Sequence, residues 1–269
     1  MTQAIRLGIN GASGRMGRAL LELVRDDRRF VLVHAVVAPA SECDGMPVFA
    51  GASTSLRYAH DWSEAPVIDA VVDFSGPAGH AAALAHCEAR GIALVSGTTG
   101  LDAAQERRLD MASAHIAVLR AANFSLGVAV LARLLREASA VLRQWDLEII
   151  EAHHGRKEDA PSGTALALGE VAAAARDTTL ADAAVYVREG YPGTRRHGSI
   201  GFAVVRGGDI VGEHTALLAG QGERLELTHR ATDRSIFARG ALEAAAWLHG
   251  RAAGRYTIED MLSDRLRTS

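Results

Sequence analysis

Apolar residues along this chain change rhythm twice, and each change predicts a different kind of element. Residues 4–9 form a short run that is apolar but for Arg6, and residues 30–37 form a second, nearly all apolar. Runs of this kind predict parallel strands covered on both faces. Similar runs occupy 67–74, 93–95 and 116–119. Between them, over 15–24, 78–90 and 102–114, the apolar positions fall at helical spacing, first with Met16, Leu20, Leu21, Leu23 and Val24. Strand and helix alternating over about 120 residues predict a Rossmann-like, doubly wound parallel sheet.

Beyond Asn123-Phe124 the order of elements is different. A long amphipathic helix is predicted over 127–143, a strand over 146–152 and a helix over 163–175. Three strand-like runs follow at 199–205, 209–218 and 223–229. Gly207-Gly208 and Gly220-Gln221-Gly222 separate them and read as hairpin turns. This predicts a C-terminal α+β domain with a mostly antiparallel sheet. Residues 176–198 have little pattern and read as a loop, and 235–249 reads as helix again. The expected division is a dinucleotide-binding domain over 1–124, with 234–269 packing back on it, and a second domain over 125–233.

Composition narrows the function. The chain has 269 residues and a net charge of −3, which argues against a nucleic-acid surface, so any anion site must be a local cluster of positive charge. Cys43 and Cys87 share no C-x-x-C spacing, so neither a disulfide framework nor a structural zinc site is expected. No secretory pattern opens the chain, and the apolar stretch 116–135 is broken by Arg120, Asn123 and Arg133. A cytoplasmic protein with no membrane partner is expected.

Two segments carry candidate chemistry. In Gly8-Ile-Asn-Gly-Ala-Ser-Gly-Arg-Met-Gly17, glycines stand between a predicted strand and a predicted helix. That context suits a dinucleotide, because glycines let backbone approach a pyrophosphate and the helix start offers amides. No Lys-Ser or Lys-Thr follows, which argues against an ATP-binding P-loop. The second strand ends Val36-Val-Ala-Pro-Ala-Ser41 with no acid to hold a ribose and no nearby Arg for a 2′-phosphate, leaving NADH and NADPH both open. The turns Ser96-Gly-Thr-Thr-Gly100 and Ala121-Ala-Asn-Phe-Ser125 follow further predicted strands, where such sheets bind ligands.

The second segment is Glu151-Ala-His-His-Gly-Arg-Lys-Glu-Asp-Ala-Pro-Ser-Gly-Thr-Ala165. Gly155 can turn the chain so that Lys157 approaches His153 and His154. Ser162 is a good N-cap, and amides near Gly163 and Thr164 would favour an anion. Cations beside a helix start argue for a carboxylate-bearing substrate at the Ser162-Gly163-Thr164 end of the loop. Adjacent histidines on a strand face opposite ways and make a poor metal pair, even with Asp159 or Glu151 nearby; no metal is expected. A serine hydrolase would want a G-x-S-x-G elbow, which is missing.

Taken with Ser199-Ile-Gly-Phe202 and Arg206-Gly-Gly-Asp-Ile-Val-Gly-Glu-His-Thr215, these motifs resemble the bacterial 4-hydroxy-tetrahydrodipicolinate reductase family, formerly dihydrodipicolinate reductase, in order and over nearly the whole chain. The resemblance implies NADH- or NADPH-dependent reduction of a cyclic dicarboxylate, with loss of water, in lysine and diaminopimelate biosynthesis. It implies an acid/base role for His153, proton donation by Lys157, and carboxylate contacts from His154, Lys157, Gly163 and Thr164. It implies cofactor contacts from Gly11, Ala12, Ser13, Gly14, Arg15 and Met16, from Gly97, Thr98 and Thr99, and from Ala121, Ala122, Asn123 and Phe124. It also implies a homotetramer built through the C-terminal sheets. Ala38-Pro39 departs from family members that carry an acid and a base there, so cofactor preference does not carry over. Competing readings are an aspartate-semialdehyde or homoserine dehydrogenase, the former wanting a catalytic cysteine that neither Cys43 nor Cys87 is placed to be, and a nucleotide-sensing protein with a dead site.

Overall fold

A computed structural model describes residues 3–49 and 56–268, which divide into two compact units. The first comprises 1–125 and 235–269, the second 126–234. In the first, β1 (Ile5–Asn10), α1 (Arg15–Asp26), β2 (Phe30–Val36), β3 (Tyr58–Ala59), β4 (Ala70–Asp73), α2 (Pro77–Arg90), β5 (Ala93–Ser96), α3 (Ala103–Ala112) and β6 (Ala117–Arg120) follow in order. The seven-stranded parallel sheet runs β12-β6-β5-β4-β1-β2-β3 once β12 (Gly254–Tyr256) is added from the end of the chain.

Local chemistry sets these boundaries. Pro77 opens α2 with its φ already helical, and Gly91 closes it at φ 65°, where a side chain would be strained. Asp102 and Gln105 form a reciprocal capping box that starts α3. The strand predicted over 67–74 shortens to four residues, because Val67 is exposed and Asp69 turns its carboxylate onto Arg6. The switch point of the sheet lies between β1 and β4, which leave their shared border in opposite directions. In doubly wound sheets a ligand crevice opens there, at the carboxyl ends of the strands.

In the second unit, α4 (Leu126–Val141) leads to β7 (Asp146–His153), then α5 (Gly163–Ala175), α6 (Leu180–Ala183), β8 (Ala184–Val185), β9 (Ile200–Arg206), β10 (Gly212–Ala219) and β11 (Arg224–Ala231). Along β7 every second residue is buried: Leu147, Ile149, Glu151 and His153. Leu147 and Ile149 join Leu131, Leu135, Leu168 and Phe202 in one core. The charged end of the same face, Glu151 and His153, is therefore carried inward by the strand's two-residue period. Ser235–Leu248 (α7) and Ile258–Thr268 (α8) belong to the first unit.

The five-stranded sheet runs β11-β10-β7-β9-β8 and is mixed. β10 pairs antiparallel with β7 and β11, whereas β9 pairs parallel with β7 and β8. Gly220–Gly222 does close a hairpin, with Ala219 opposite Arg224 and Gly222 at φ 82°. Gly207-Gly208 does not: β9 and β10 lie on opposite sides of β7. A glycine pair reads locally as a tight turn, but burying both strands against β7 requires the chain to cross its end. The crossing pins the segment after β7, through Gly207 N–H to His153 O at 2.9 Å and His154 N–H to Ile210 O at 2.8 Å. The predicted loop over 176–198 contains α6 and β8, each too short to leave a pattern.

Candidate active site

In the first unit a polar row crosses the carboxyl ends of four strands. Asn10, Asp73, Ser96 and Arg120 are successive partners in register. Asp73 is fully buried and gathers the loops that follow. Its Oδ1 accepts from Asn10 Nδ2 at 2.9 Å and Ser75 Oγ at 2.6 Å. Its Oδ2 accepts from His80 Nδ1, Ser96 Oγ and Thr98 Oγ1, each at 2.8 Å. Burial is the strongest single influence and opposes ionisation, yet the donors led by His80 and Ser75 hold the carboxyl below its ordinary range.

Gly11 has φ 78°, and a Cβ there would lie 2.5 Å from Phe74 O, so only glycine fits. Gly17 must also be glycine, since a Cβ would strike Gly11 O. Gly97 N–H donates to Asp73 O at 2.8 Å, and a Cβ on Gly97 would strike the Phe74 ring. The amides of Gly11 and Ala12 are spent on Val36 O, at 3.0 and 2.9 Å, tying the turn to the end of β2. Those of Ser13, Arg15 and Met16 have no acceptor among the described residues and crown the start of α1. This is a cradle that an added Cβ would fill, with unsatisfied donors beside it, and it fits a pyrophosphate.

The side chains of several of the expected cofactor residues are turned into the scaffold. Ala12 is wholly buried and gives its amide to Val36. Thr98 is 3% exposed, gives its hydroxyl to Asp73 and accepts Arg120 Nη2 on its carbonyl at 3.3 Å. Phe124 is 1% exposed and packs edge-on to Phe74. Their side chains hold the loops, while Ser13, Gly14, Arg15, Thr99, Ala122 and Asn123 retain some exposure.

In the second unit the site grows from the end of β7. Glu151, 1% exposed, receives four hydrogen bonds. Arg206 donates from Nη1 to Oε2 and from Nη2 to Oε1, both at 2.8 Å. His153 Nδ1 lies 2.5 Å from Oε2, and Ser162 N–H donates to Oε1 at 3.0 Å. Burial pushes this carboxyl up, but Arg206, then His153 and Ser162, outweigh it and hold it below its ordinary range. The register places His214 opposite Glu151 and Arg206 opposite His153. The His214 ring stands edge-on to His153 with centroids 5.2 Å apart. Burial, reinforced by the facing His153, brings the His214 pKa down to about 4, so this imidazole is neutral at physiological pH.

Ser162, expected among the carboxylate-holding groups, lies inside this network. It is 2% exposed, caps α5 by accepting from Ala165 N–H at 3.2 Å, and its hydroxyl lies 3.0 Å from His214 Nε2. Its amide goes to Glu151, and its hydroxyl is already engaged by His214 and by the Ala165 amide. Gly163 and Thr164 follow on the more open side, and a Cβ at Gly163 would meet nothing within 4 Å. His154 Nε2 lies 3.0 Å from Arg234 Nη2. A guanidinium can only donate, so that nitrogen is bare and His154 is neutral; burial, then Arg234 and Arg156, lower its pKa.

The loop does turn back after Gly155, with Lys157 N–H donating to His154 O at 3.1 Å. Lys157 Nζ is not bonded to either histidine. It grips Asp159 at 2.7 and 2.9 Å. Asp159 is 59% exposed, and a pair of this kind contributes at most about 1 kcal/mol, so an incoming carboxylate can displace it cheaply. Sequence reasoning weighed Glu151 only as a metal ligand and gave no role to Arg206, His214 or Asp73. Only the buried alternation along β7 hinted that Glu151 faces inward.

Over residues 5–124 the chain matches the family described as dihydrodipicolinate reductase, N-terminus, and over residues 127–262 that described as dihydrodipicolinate reductase, C-terminus. It is 48% identical over 264 residues to a 4-hydroxy-tetrahydrodipicolinate reductase of Xanthomonas euvesicatoria pv. vesicatoria, covering 97% of this chain and 99% of that one. It is 46% identical over 268 residues to a 4-hydroxy-tetrahydrodipicolinate reductase of Acinetobacter baumannii, covering 97% of each. Among solved structures, the dipicolinate-bound dihydrodipicolinate reductase from Paenisporosarcina sp. TG-14 shares the fold, with a TM-score of 0.78 at 22% identity over 95% of this chain and 98% of that one. With both halves matched in order and relatives similar over their full length, the chain belongs to the dihydrodipicolinate reductase family.

Proposed function

We propose that this protein reduces 4-hydroxy-tetrahydrodipicolinate to tetrahydrodipicolinate with NADH or NADPH, in lysine and diaminopimelate biosynthesis. One hydride and one proton are added, and one water leaves. The observation that carries this reading within the family is the meeting, at the end of β7, of His153, His154, Lys157 and the start of α5. Lys157, His154, Gly163 and Thr164 hold the two carboxylates and so orient the ring. His153 and Lys157 handle the proton, help of a kind worth about 10²–10⁴ in rate. The turn over residues 11–16, with the Gly97–Thr99 and Ala121–Phe124 loops, holds the nucleotide, which supplies the hydride when bound.

The test is to generate the substrate with the preceding synthase and follow NADH and NADPH oxidation separately. Oxidation of either, inhibited competitively by pyridine-2,6-dicarboxylate, is expected; oxidation of neither refutes the reading. A cytoplasmic homotetramer assembled through the second sheet is part of the same proposal. Its outward face carries Ile150, Ala203, Val205 and Leu217, and Val205 is 49% exposed. Sedimentation of a monomer at micromolar concentration would remove it. Among the described residues no helix is long and apolar enough to cross a membrane.

A further inference from the structure

We infer that Glu151 is a positioning residue that fixes the tautomer of His153, with Arg206 as the clamp that keeps Glu151 in place. This rests on the reading of His153 as a proton-handling group.

Three of the four groups around the Glu151 carboxylate are fixed N–H donors, from Arg206 and Ser162, and the fourth is His153 Nδ1. The carboxylate is ionised and can only accept, so the hydrogen between it and His153 sits on Nδ1. The second nitrogen of a neutral imidazole is then bare. His153 Nε2 is thereby the only atom of the ring at which a proton can come and go. A neighbouring carboxylate fixes imidazole tautomers in the same way in hydrolytic triads, and there the wrong tautomer costs up to about 10⁴ in turnover.

The surroundings reinforce the choice. Arg206 is itself held by Val205 O and Asp159 O, both at 2.8 Å, so the fork cannot swing away from Glu151 without losing two further bonds. His214, the other imidazole against the ring, is neutral and occupied by Ser162, so it neither repels an imidazolium nor competes for Nδ1. Gly212 supplies the remaining space: a Cβ there would lie 3.0 Å from His153 Nε2, so a side chain would crowd the working nitrogen. When His153 acts as an acid, the Nε2–H bond breaks and its electron pair stays on the ring. The proton forms the new bond on the substrate, leaving the neutral Nδ1–H form, which takes a fresh proton from solvent.

Replacing Glu151 by Gln substitutes an NH₂ for one of the two oxygens. Turned towards His153, that NH₂ meets Arg206 Nη1, donor against donor, and forces Nδ1 to accept, which moves the ring hydrogen to Nε2. Turned the other way, it meets the Ser162 amide and Arg206 Nη2, donor against donor. The decisive experiment is imidazole ¹⁵N spectroscopy of the histidine-labelled enzyme, followed upward in pH until His153 is neutral. The His153 signal is identified by its loss in His153→Gln. The Nδ1–H tautomer is expected in the native chain, and the Nε2–H tautomer or a mixture in Glu151→Gln, with kcat at least about tenfold lower and nucleotide KM unchanged. Glu151→Asp should restore part of both. A native Nε2–H or mixed population overturns the proposal even if Glu151→Gln does not fold, and so does a tautomer change that leaves kcat untouched. The spectra need no substrate. Full turnover in His153→Gln would instead refute the proton-handling reading of His153 while leaving the tautomer assignment standing.

Discussion

Replacing Arg206 with Met removes both arms of the fork and leaves Glu151 buried with two of its four donors. The side chain of Glu151 is 0% exposed and that of Arg206 20%. Removing one member of a buried pair costs about 3–5 kcal/mol, chiefly from the stranded charge. His153 and Ser162 still donate, and Arg206 is partly in water, which places the cost near the lower end, about 3 kcal/mol. The sign with pH is specific. In the native chain the Glu151 carboxyl titrates below its ordinary value, so its contribution is full above that value and is lost as pH falls through the folded-state pKa. In the variant Arg206 no longer offsets burial, so the carboxyl titrates higher than in the native chain and less stability is gained as pH rises through that window. The gap between the two proteins therefore widens from acid to neutral pH. Hydrogen exchange of β7 and β10 amides, corrected for intrinsic rates, reads the opening of this unit. About 10²-fold faster exchange at neutral pH is expected, shrinking below about pH 4. A penalty under about 1 kcal/mol, or a gap that does not change with pH, would refute the argument.

Three further outcomes follow from the same geometry. Gly11→Val drives a side chain into Phe74 O and should weaken NADH binding, measured by fluorescence titration, at least about tenfold; intact affinity would detach the turn from the nucleotide. Lys157→Ala should lower kcat at least about tenfold with nucleotide affinity retained, and unchanged turnover would remove Lys157 from the mechanism. His214→Gln should flatten the loss of second-unit stability between pH 6.5 and about 4, because an imidazole with a depressed folded pKa resists protonation that the unfolded chain accepts; an unaltered pH profile would show that this ring is not kept neutral by burial.

What the sequence revealed follows how locally each feature is encoded. The parallel strands announce themselves because burial on both faces demands nearly continuous apolar runs. The glycine turn and the His-His segment announce themselves because their function needs unusual residues side by side. Glu151, Arg206 and His214 also stand within recognisable motifs, yet their roles come from partners far away: Arg206 reaches Glu151 across 55 positions and His214 reaches Ser162 across 52. The misread Gly207-Gly208 turn has the same origin, since the pairing of β9 and β10 is decided at β7. α8 was missed although Thr257 and Asp260 cap it reciprocally, because such a box precedes only a weakly apolar run.

Each unit is nailed together by one buried carboxylate at the carboxyl ends of its strands, and the two should respond oppositely to neutralisation. Around Glu151 every donor is an N–H, and those of Arg206 and Ser162 cannot become acceptors. Around Asp73 three of the donors are the hydroxyls of Ser75, Ser96 and Thr98, which can turn and accept, and a fourth is the imidazole of His80, which can change tautomer. An Asn at 73 can keep its oxygen towards Asn10 Nδ2 and the Ser75 amide, which cannot turn, and give its two NH₂ hydrogens to Ser96 and Thr98, while the Ser96 hydroxyl donates to His80 Nδ1, 3.1 Å away. Asp73→Asn should therefore cost about 1–2 kcal/mol, the scale of weakened but complete hydrogen bonds, and slow exchange at β4 should largely survive. Glu151→Gln leaves donors facing donors in either orientation and should cost more, about 3 kcal/mol read at β7. If Asp73→Asn loosens its unit as much as Glu151→Gln loosens the other, then charge rather than donor geometry holds these loops, and the rotating hydroxyls around Asp73 do not have the role given to them here.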